Sequence, residues 1–192
     1  MTDQEDPPED LFSGQSELHL VQSLIADFHD ELPGRVGRFR YLNDISGALG
    51  THGTMIFGGT TAYAALGEAR SSFVHGNFVA TILLCQALAE NTLAGYLHVR
   101  LEELPPKIAF HETLTRCQAK GILSVEEVAD LKRLAGLRNP LSHFRNVSDP
   151  ESITRRSMTE DEPAEDLLRK DAHFAIATAI NLLAKPPFRI GT

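Results

Sequence analysis

The longest apolar stretch of the chain reads FVATILLCQALAENTLAGYLHVRLE and covers residues 78–102. Its length and composition are typical of a buried central helix, with Asn77 as a candidate N-cap and Pro105-Pro106 beyond its end. Its apolar run over 78–89 contains Gln86 and is shorter than the roughly 20 residues that cross a bilayer. We therefore predict a core helix and no membrane partner.

Helical signals recur on both sides of this stretch. Apolar spacing, capping residues and terminal glycines or prolines predict further helices over 16–32, 60–73, 108–120 and 163–185, and one that starts at Ser124 and has apolar spacing through Leu137. No segment shows the sustained alternation of a half-buried strand. The predicted fold class is all-α, a four-helix bundle with an N-terminal helical extension.

The chain divides into three predicted parts. Residues 1–15 are rich in proline and acid and are expected to be a disordered acidic tail. Residues 16–59 combine an N-terminal helix, expected to end before Pro33, with a Gly-rich loop. That loop lacks the lysine of a phosphate-binding P-loop, which favours a flexible connector. Residues 60–192 form the bundle, with a polar connection over 146–162.

The charge is unevenly distributed along the chain. The formal net charge is -8, but residues 1–17 hold six acidic and no basic side chains, so the remainder carries 20 acidic and 18 basic residues. The bundle itself is thus nearly neutral, and its charge does not exclude local contact with RNA. Cys85 and Cys117 have no metal-ligand spacing and are expected to be buried reduced thiols, which together with the acidic, non-signal-like start predicts a cytoplasmic protein. The eight histidines show no paired ligand spacing, so we predict no metal and no cofactor.

The most informative polar cluster is LAGLRNPLSHFRN, residues 134–146, which ends a helix opened by the capping box Ser124-Val125-Glu126-Glu127. Pro140 leaves two local structures open. Either the helix continues through it, so that Asn139 and His143 share a face, or Asn139 caps a new short helix with Pro140 in its first position.

This cluster resembles the signature of the HEPN domain family, an arginine and a polar residue followed after three positions by a histidine. Here it reads Arg138-Asn139-Pro140-Leu141-Ser142-His143. The resemblance extends over residues 60–185 in helix order and length, and includes the embedded acid Glu90 and the Ala-rich last helix. A looser similarity, over residues 108–144, is to mannitol-repressor-like helical proteins.

The resemblance implies a metal-independent endoribonuclease that works as a homodimer and leaves 2′,3′-cyclic phosphate and 5′-hydroxyl ends. His143 would be the general acid or base, Arg138 would stabilise the charge on the phosphate, and Asn139 would orient the imidazole or contact phosphate. Ser142 and Arg145 would bind substrate. The family also implies a toxin or phage-defence context with an antitoxin or regulatory protein as partner.

Plainer interpretations stay open for three features. Cationic side chains at a helix C-terminus also satisfy its carbonyls and dipole, so the cluster also fits a non-catalytic regulatory or interaction module. Glu90 and Gln86 either form a structural polar pair that meets Arg70 or Arg138 inside the bundle, or lie on an exposed helix face. Arg145, Arg155 and Arg156 form either an RNA contact or a set of solvated loop charges.

Overall fold

The computed structural model describes residues 16–191, which form seven α-helices and one short 3-10 turn. The helices are α1 Glu17–Ser46, α2 Gly59–Val74, α3 Phe78–Val99, α4 Phe110–Ala119, α5 Val125–Ser142, α6 Ile153–Glu160 and α7 Ala164–Leu183, with the 3-10 turn at Gly47–Leu49. These described residues hold no β-strand, which confirms the all-α prediction. The predicted disordered tail, residues 1–15, lies outside the described residues.

Helix α3 is the central element, and it packs most extensively on α2, α7 and α5. Its buried apolar side chains, among them Ile82, Leu88 and Leu93, recur at helical spacing and are fully enclosed. The helix is 22 residues long and apolar enough to span a bilayer, so the inference from the shorter run over 78–89 was wrong on length. In the bundle 44% of its most apolar window is buried, and α2, α5 and α7 pack on it.

Helix α1 continues through Pro33, so the predicted helix end before this residue is wrong. An interior proline removes a backbone hydrogen bond and costs about 3 kcal/mol. Contacts of the following half of the helix offset this cost: Leu42 is buried, and the Arg38 guanidinium donates a 2.9 Å hydrogen bond to the carbonyl of Val74. Tertiary packing therefore overrides the local signal.

The Gly-rich loop before α2 is packed, rather than a flexible connector. Gly58 adopts a φ of +94° and crosses α3 at Gly95, where an added Cβ would lie 2.3 Å from the Gly58 nitrogen. The Thr54 hydroxyl donates a 2.8 Å hydrogen bond to the carbonyl of Leu183 at the end of α7. The loop thus ties the start of the bundle to its last helix.

The polar connection over 146–162 contains a helix, α6, that the sequence pattern did not indicate. Ser152 caps it by accepting a hydrogen bond from the backbone of Arg155. Arg156 then donates two hydrogen bonds, of 2.7 and 3.2 Å, to the buried carboxylate of Asp171 on α7. This short helix has few apolar residues, and the ion pair fastens it to the bundle.

Candidate functional site

An unbroken helix, α5, holds all of the Arg138–His143 motif except its last residue. Helix α5 begins at the predicted capping box, in which the Ser124 amide donates to Glu127 at 2.7 Å and the Glu127 amide donates to the Ser124 hydroxyl at 3.2 Å. The helix runs through Pro140 to Ser142, so the alternative in which Asn139 caps a new helix is wrong. His143 is the C-cap, with extended backbone angles of φ −134° and ψ 139°.

Two motif side chains line a polar cleft between α3, α4 and α5. The cleft has a volume of about 470 Å³, and its polar lining comprises Gln86, Glu90, His111, Lys132, Arg138 and Asn139. Phe110 and Leu114 of α4 and the small residues Ala135 and Gly136 of α5 complete the lining. Because Ala135 and Gly136 have little or no side chain, the cleft stays open between the longer side chains of Lys132, Arg138 and Asn139.

The predicted polar pair on α3 lies in this cleft. The Gln86 amide donates a 2.6 Å hydrogen bond to the Glu90 carboxylate, and Gln86 is only 7% exposed. Among the ion pairs of residues 16–191, none joins Glu90 to Arg70 or Arg138. Arg70 instead donates to the hydroxyl of Ser46. Glu90 therefore shares a cleft with Arg138 without the predicted salt bridge.

His143 and Ser142 are exposed and do not line the cleft. The backbone leaves the helix at His143, so its side chain no longer follows the helical spacing that would bring it over Asn139. Its amide still donates a 3.1 Å hydrogen bond to the Asn139 carbonyl, and the Ser142 hydroxyl donates to the Arg138 carbonyl at 3.2 Å. The structure thus brings Arg138, Asn139 and Glu90 together and places His143 and Ser142 at the adjoining helix end.

Most of the predicted basic patch is neutralised by nearby carboxylates. Arg145 forms ion pairs with Asp149 at 3.1 Å and with Glu151 at 3.4 Å. Hydrogen bonding to Asp171 raises the pKa of Arg156 above its usual value. Arg155 is exposed and has no ion pair among the described residues. The patch consequently offers an anion far less charge than its three arginines indicate.

Two cleft residues, Lys132 and His111, were missed by sequence reasoning. Lys132 lies three, four and seven positions before Ala135, Gly136 and Asn139, so all four lie on one helical face and helical spacing alone could have found it. His111 lies on α4, and no pattern in the sequence indicates that this residue packs beside α5. Together they add an amine and an imidazole side chain to the lining of the cleft.

The two cysteines are free, buried and separate from this site. Burial raises the pKa of Cys85 well above its usual value and raises that of Cys117 to about 12. Thiols held in this form are poor nucleophiles, which agrees with the predicted structural role. Among residues 16–191, no group of three or more His, Cys, Asp or Glu side chains is placed to hold a metal ion.

Comparison of the chain with protein-family models, with curated proteins and with solved structures yields no match. The resemblance to the HEPN family therefore rests on the motif and on helix order, and it stays a prediction.

Proposed function

We propose that this protein is a metal-independent endoribonuclease of the HEPN type that binds RNA at the α5 cleft and the adjoining helix end. The observation that carries the proposal is the position of Arg138 in the cleft with a solvent-exposed His143 five residues further on, at the C-cap of the same helix. A guanidinium matches phosphate oxygens, and an imidazole is a side chain suited to general acid and base catalysis.

The proposed reaction is an internal transesterification of RNA. His143 takes the proton of a ribose 2′-hydroxyl, and that oxygen forms a bond to the adjacent phosphorus. The bond from phosphorus to the 5′-oxygen breaks, and this oxygen leaves with a proton supplied by an imidazolium. Since each protomer has one motif histidine, His143 of a second copy in a homodimer supplies that proton. The products carry a 2′,3′-cyclic phosphate and a 5′-hydroxyl.

The remaining motif residues have supporting roles in this proposal. Arg138 stabilises the negative charge that develops on the phosphate oxygens, and Asn139 contacts the same phosphate from inside the cleft. Ser142 and Arg145 contact the flanking backbone. Arg145 must exchange carboxylate partners for phosphate, so its contribution is expected to be smaller than that of Arg138.

The proposed setting is the cytoplasm, in a toxin–antitoxin or phage-defence system with an antitoxin or regulatory protein as partner. The buried, unpaired thiols of Cys85 and Cys117 suit a reducing compartment. The proposed chemistry requires no cofactor.

A second candidate is a non-catalytic HEPN-like or mannitol-repressor-like regulatory or interaction module. The ion pairs of Arg145 with Asp149 and of Arg156 with Asp171 favour it, because both arginines then stabilise the fold. Glu90 in the cleft also suits a ligand with a cationic group better than it suits a polyanion.

The decisive experiment incubates the full-length protein with structured and unstructured RNA in EDTA. Wild-type protein should cleave, while His143→Ala and Arg138→Ala should lower the rate at least a hundredfold. His98→Ala is the matched control, since His98 is an exposed histidine at the end of another helix, outside the cleft. Product ends are identified by mass spectrometry.

Binding without cleavage by the wild type would support the non-catalytic module. Cleavage that survives His143→Ala, or that disappears equally in His98→Ala, would overturn the assigned catalytic role.

A further inference from the structure

The N-terminal half of α1 is an exposed helix with an apolar stripe along one side. The stripe consists of Leu18, Val21, Ile25, Phe28 and Leu32, whose exposed fractions range from 40 to 67%. Every residue from 16 to 34 is exposed. Contiguous apolar patches of this kind mark interaction surfaces in soluble proteins.

The spacing within the stripe is that of a coiled coil. Its members are alternately three and four positions apart, and the same period continues through Arg35 to Phe39 and Leu42. Ser23, Asp27 and Asp30 lie on the outer side of the same turns. Leu24, which is 68% exposed, widens the stripe on one side, and Leu20 lies beside it. A period of seven with polar residues opposite is typical of a helix that packs against another helix along its length.

This half of the helix has little to stabilise it alone. Residues 17–32 form a helix about 24 Å long, and isolated helices of about this length are marginal in water. Pro33 interrupts the hydrogen bonding that would couple them to the docked half of α1, residues 35–46. A partner helix is the packing that this segment lacks.

We propose that the stripe packs against the same stripe of a second copy, in an antiparallel two-helix coiled coil centred between Ile25 and Phe28. In this register Ile25 of one copy faces Phe28 of the other, and Val21 faces Leu32. The interface is self-complementary, as a two-fold dimer requires.

The charges of α1 select the antiparallel direction. The segment 16–31 contains Glu17, Asp27, Asp30 and Glu31 and no lysine or arginine, whereas 35–40 contains Arg35, Arg38 and Arg40. A parallel pair would place Arg35 against Arg35 of the second copy within the seam. The antiparallel register instead places Arg35, which its own Glu31 binds, beside Leu18 of the second copy. It also places Glu17 across from Arg38 of the second copy, whose Nε donates to the Val74 carbonyl.

This inference does not depend on the proposed ribonuclease activity. None of the cleft-lining residues belongs to α1, and the docked half of α1 packs on α2 and α7. A monomeric wild type would also remove the second His143 that the proposed ribonuclease requires, whereas a dimer that Ile25→Glu leaves intact would overturn only the α1 interface. RNA cleavage is measured separately, so its failure in a protein that dimerises through α1 would count against the ribonuclease alone.

The oligomeric state of the full-length protein tests the proposal by size-exclusion chromatography with light scattering. Wild type should be a dimer, and Ile25→Glu should raise the dimer dissociation constant at least a hundredfold. Ser23→Glu is the matched control, with the same new charge on the outer face two residues away. Monomeric wild type, dimeric Ile25→Glu, or equal dissociation by both variants would overturn the proposal. Circular dichroism melting of both variants verifies that the bundle remains folded.

Cysteine crosslinking tests the direction. A mixture of the Val21→Cys and Leu32→Cys proteins should form a disulfide between the two different chains. Rapid crosslinking of Val21→Cys with itself, without the mixed product, would contradict the antiparallel register. The native thiols are buried and do not compete.

Discussion

The Gln86 amide donates a 2.6 Å hydrogen bond to the Glu90 carboxylate on the wall of the cleft that Arg138 also lines. The Gln86 amide thus holds the Glu90 carboxylate in the cleft where the proposed RNA substrate would place a phosphate. Because phosphate and carboxylate repel each other, Glu90 limits RNA affinity in the proposed function.

Replacing Glu90 by Gln should therefore tighten binding of a short RNA about fivefold, a change of about 1 kcal/mol. The glutamine keeps the hydrogen bond with Gln86 and removes only the charge. Fluorescence anisotropy with a labelled oligonucleotide at low salt measures the affinity. Glu68→Gln, on the exposed side of α2, is the control and should have little effect. Unchanged affinity in Glu90→Gln would mean that RNA does not enter the cleft.

The ion pair between Arg156 and Asp171 leads to a prediction for stability. Arg156→Ala leaves the Asp171 carboxylate buried without its partner and should lower the free energy of unfolding by about 3–5 kcal/mol. Arg155→Ala, at the neighbouring exposed position, should change it by no more than about 0.5 kcal/mol. Urea unfolding followed by circular dichroism compares the two. Similar losses in both variants would contradict the assigned role of the buried pair.

Part of the fold and part of the candidate site can be predicted from the sequence. Local signals predicted α2, α3 and α5, because an apolar period, the Ser124 capping box and terminal glycines act within a few residues. Continuation of α1 past Pro33 and formation of α6 depend on contacts with α2 and α7, which no local pattern contains. For the site, spacing on α5 could have identified Lys132, whereas the entry of His111 from α4 and the turn of the backbone away at His143 arise only from the folded chain.

Two helical glycines should respond to alanine in opposite ways. In Gly95→Ala the new Cβ would lie 2.3 Å from the backbone nitrogen of Gly58, so loop and helix must separate and the protein should lose about 2 kcal/mol or more. In Gly67→Ala nothing lies within 4 Å of the new atom, and the better helix propensity should add about 1 kcal/mol. Thermal melting measures both, and a neutral Gly95→Ala would contradict the close crossing at Gly58.

The buried thiols should make the protein sensitive to alkaline pH. Burial raises the pKa of Cys117 from 9.0 to about 12, and that of Cys85 further, so the folded state favours the neutral thiols. Their contribution to stability is complete below pH 9, where the thiols of the unfolded chain are also protonated. It is lost as the pH rises from about 9 towards 12, because only the unfolded chain ionises readily in that range. The melting temperature should therefore fall above pH 9, and Cys117→Ala should make that fall shallower.

The same burial predicts very slow reaction of native protein with a thiol reagent at pH 8, and rapid reaction in denaturant. Fast labelling of the folded protein would show that the thiols are accessible and would contradict both expectations.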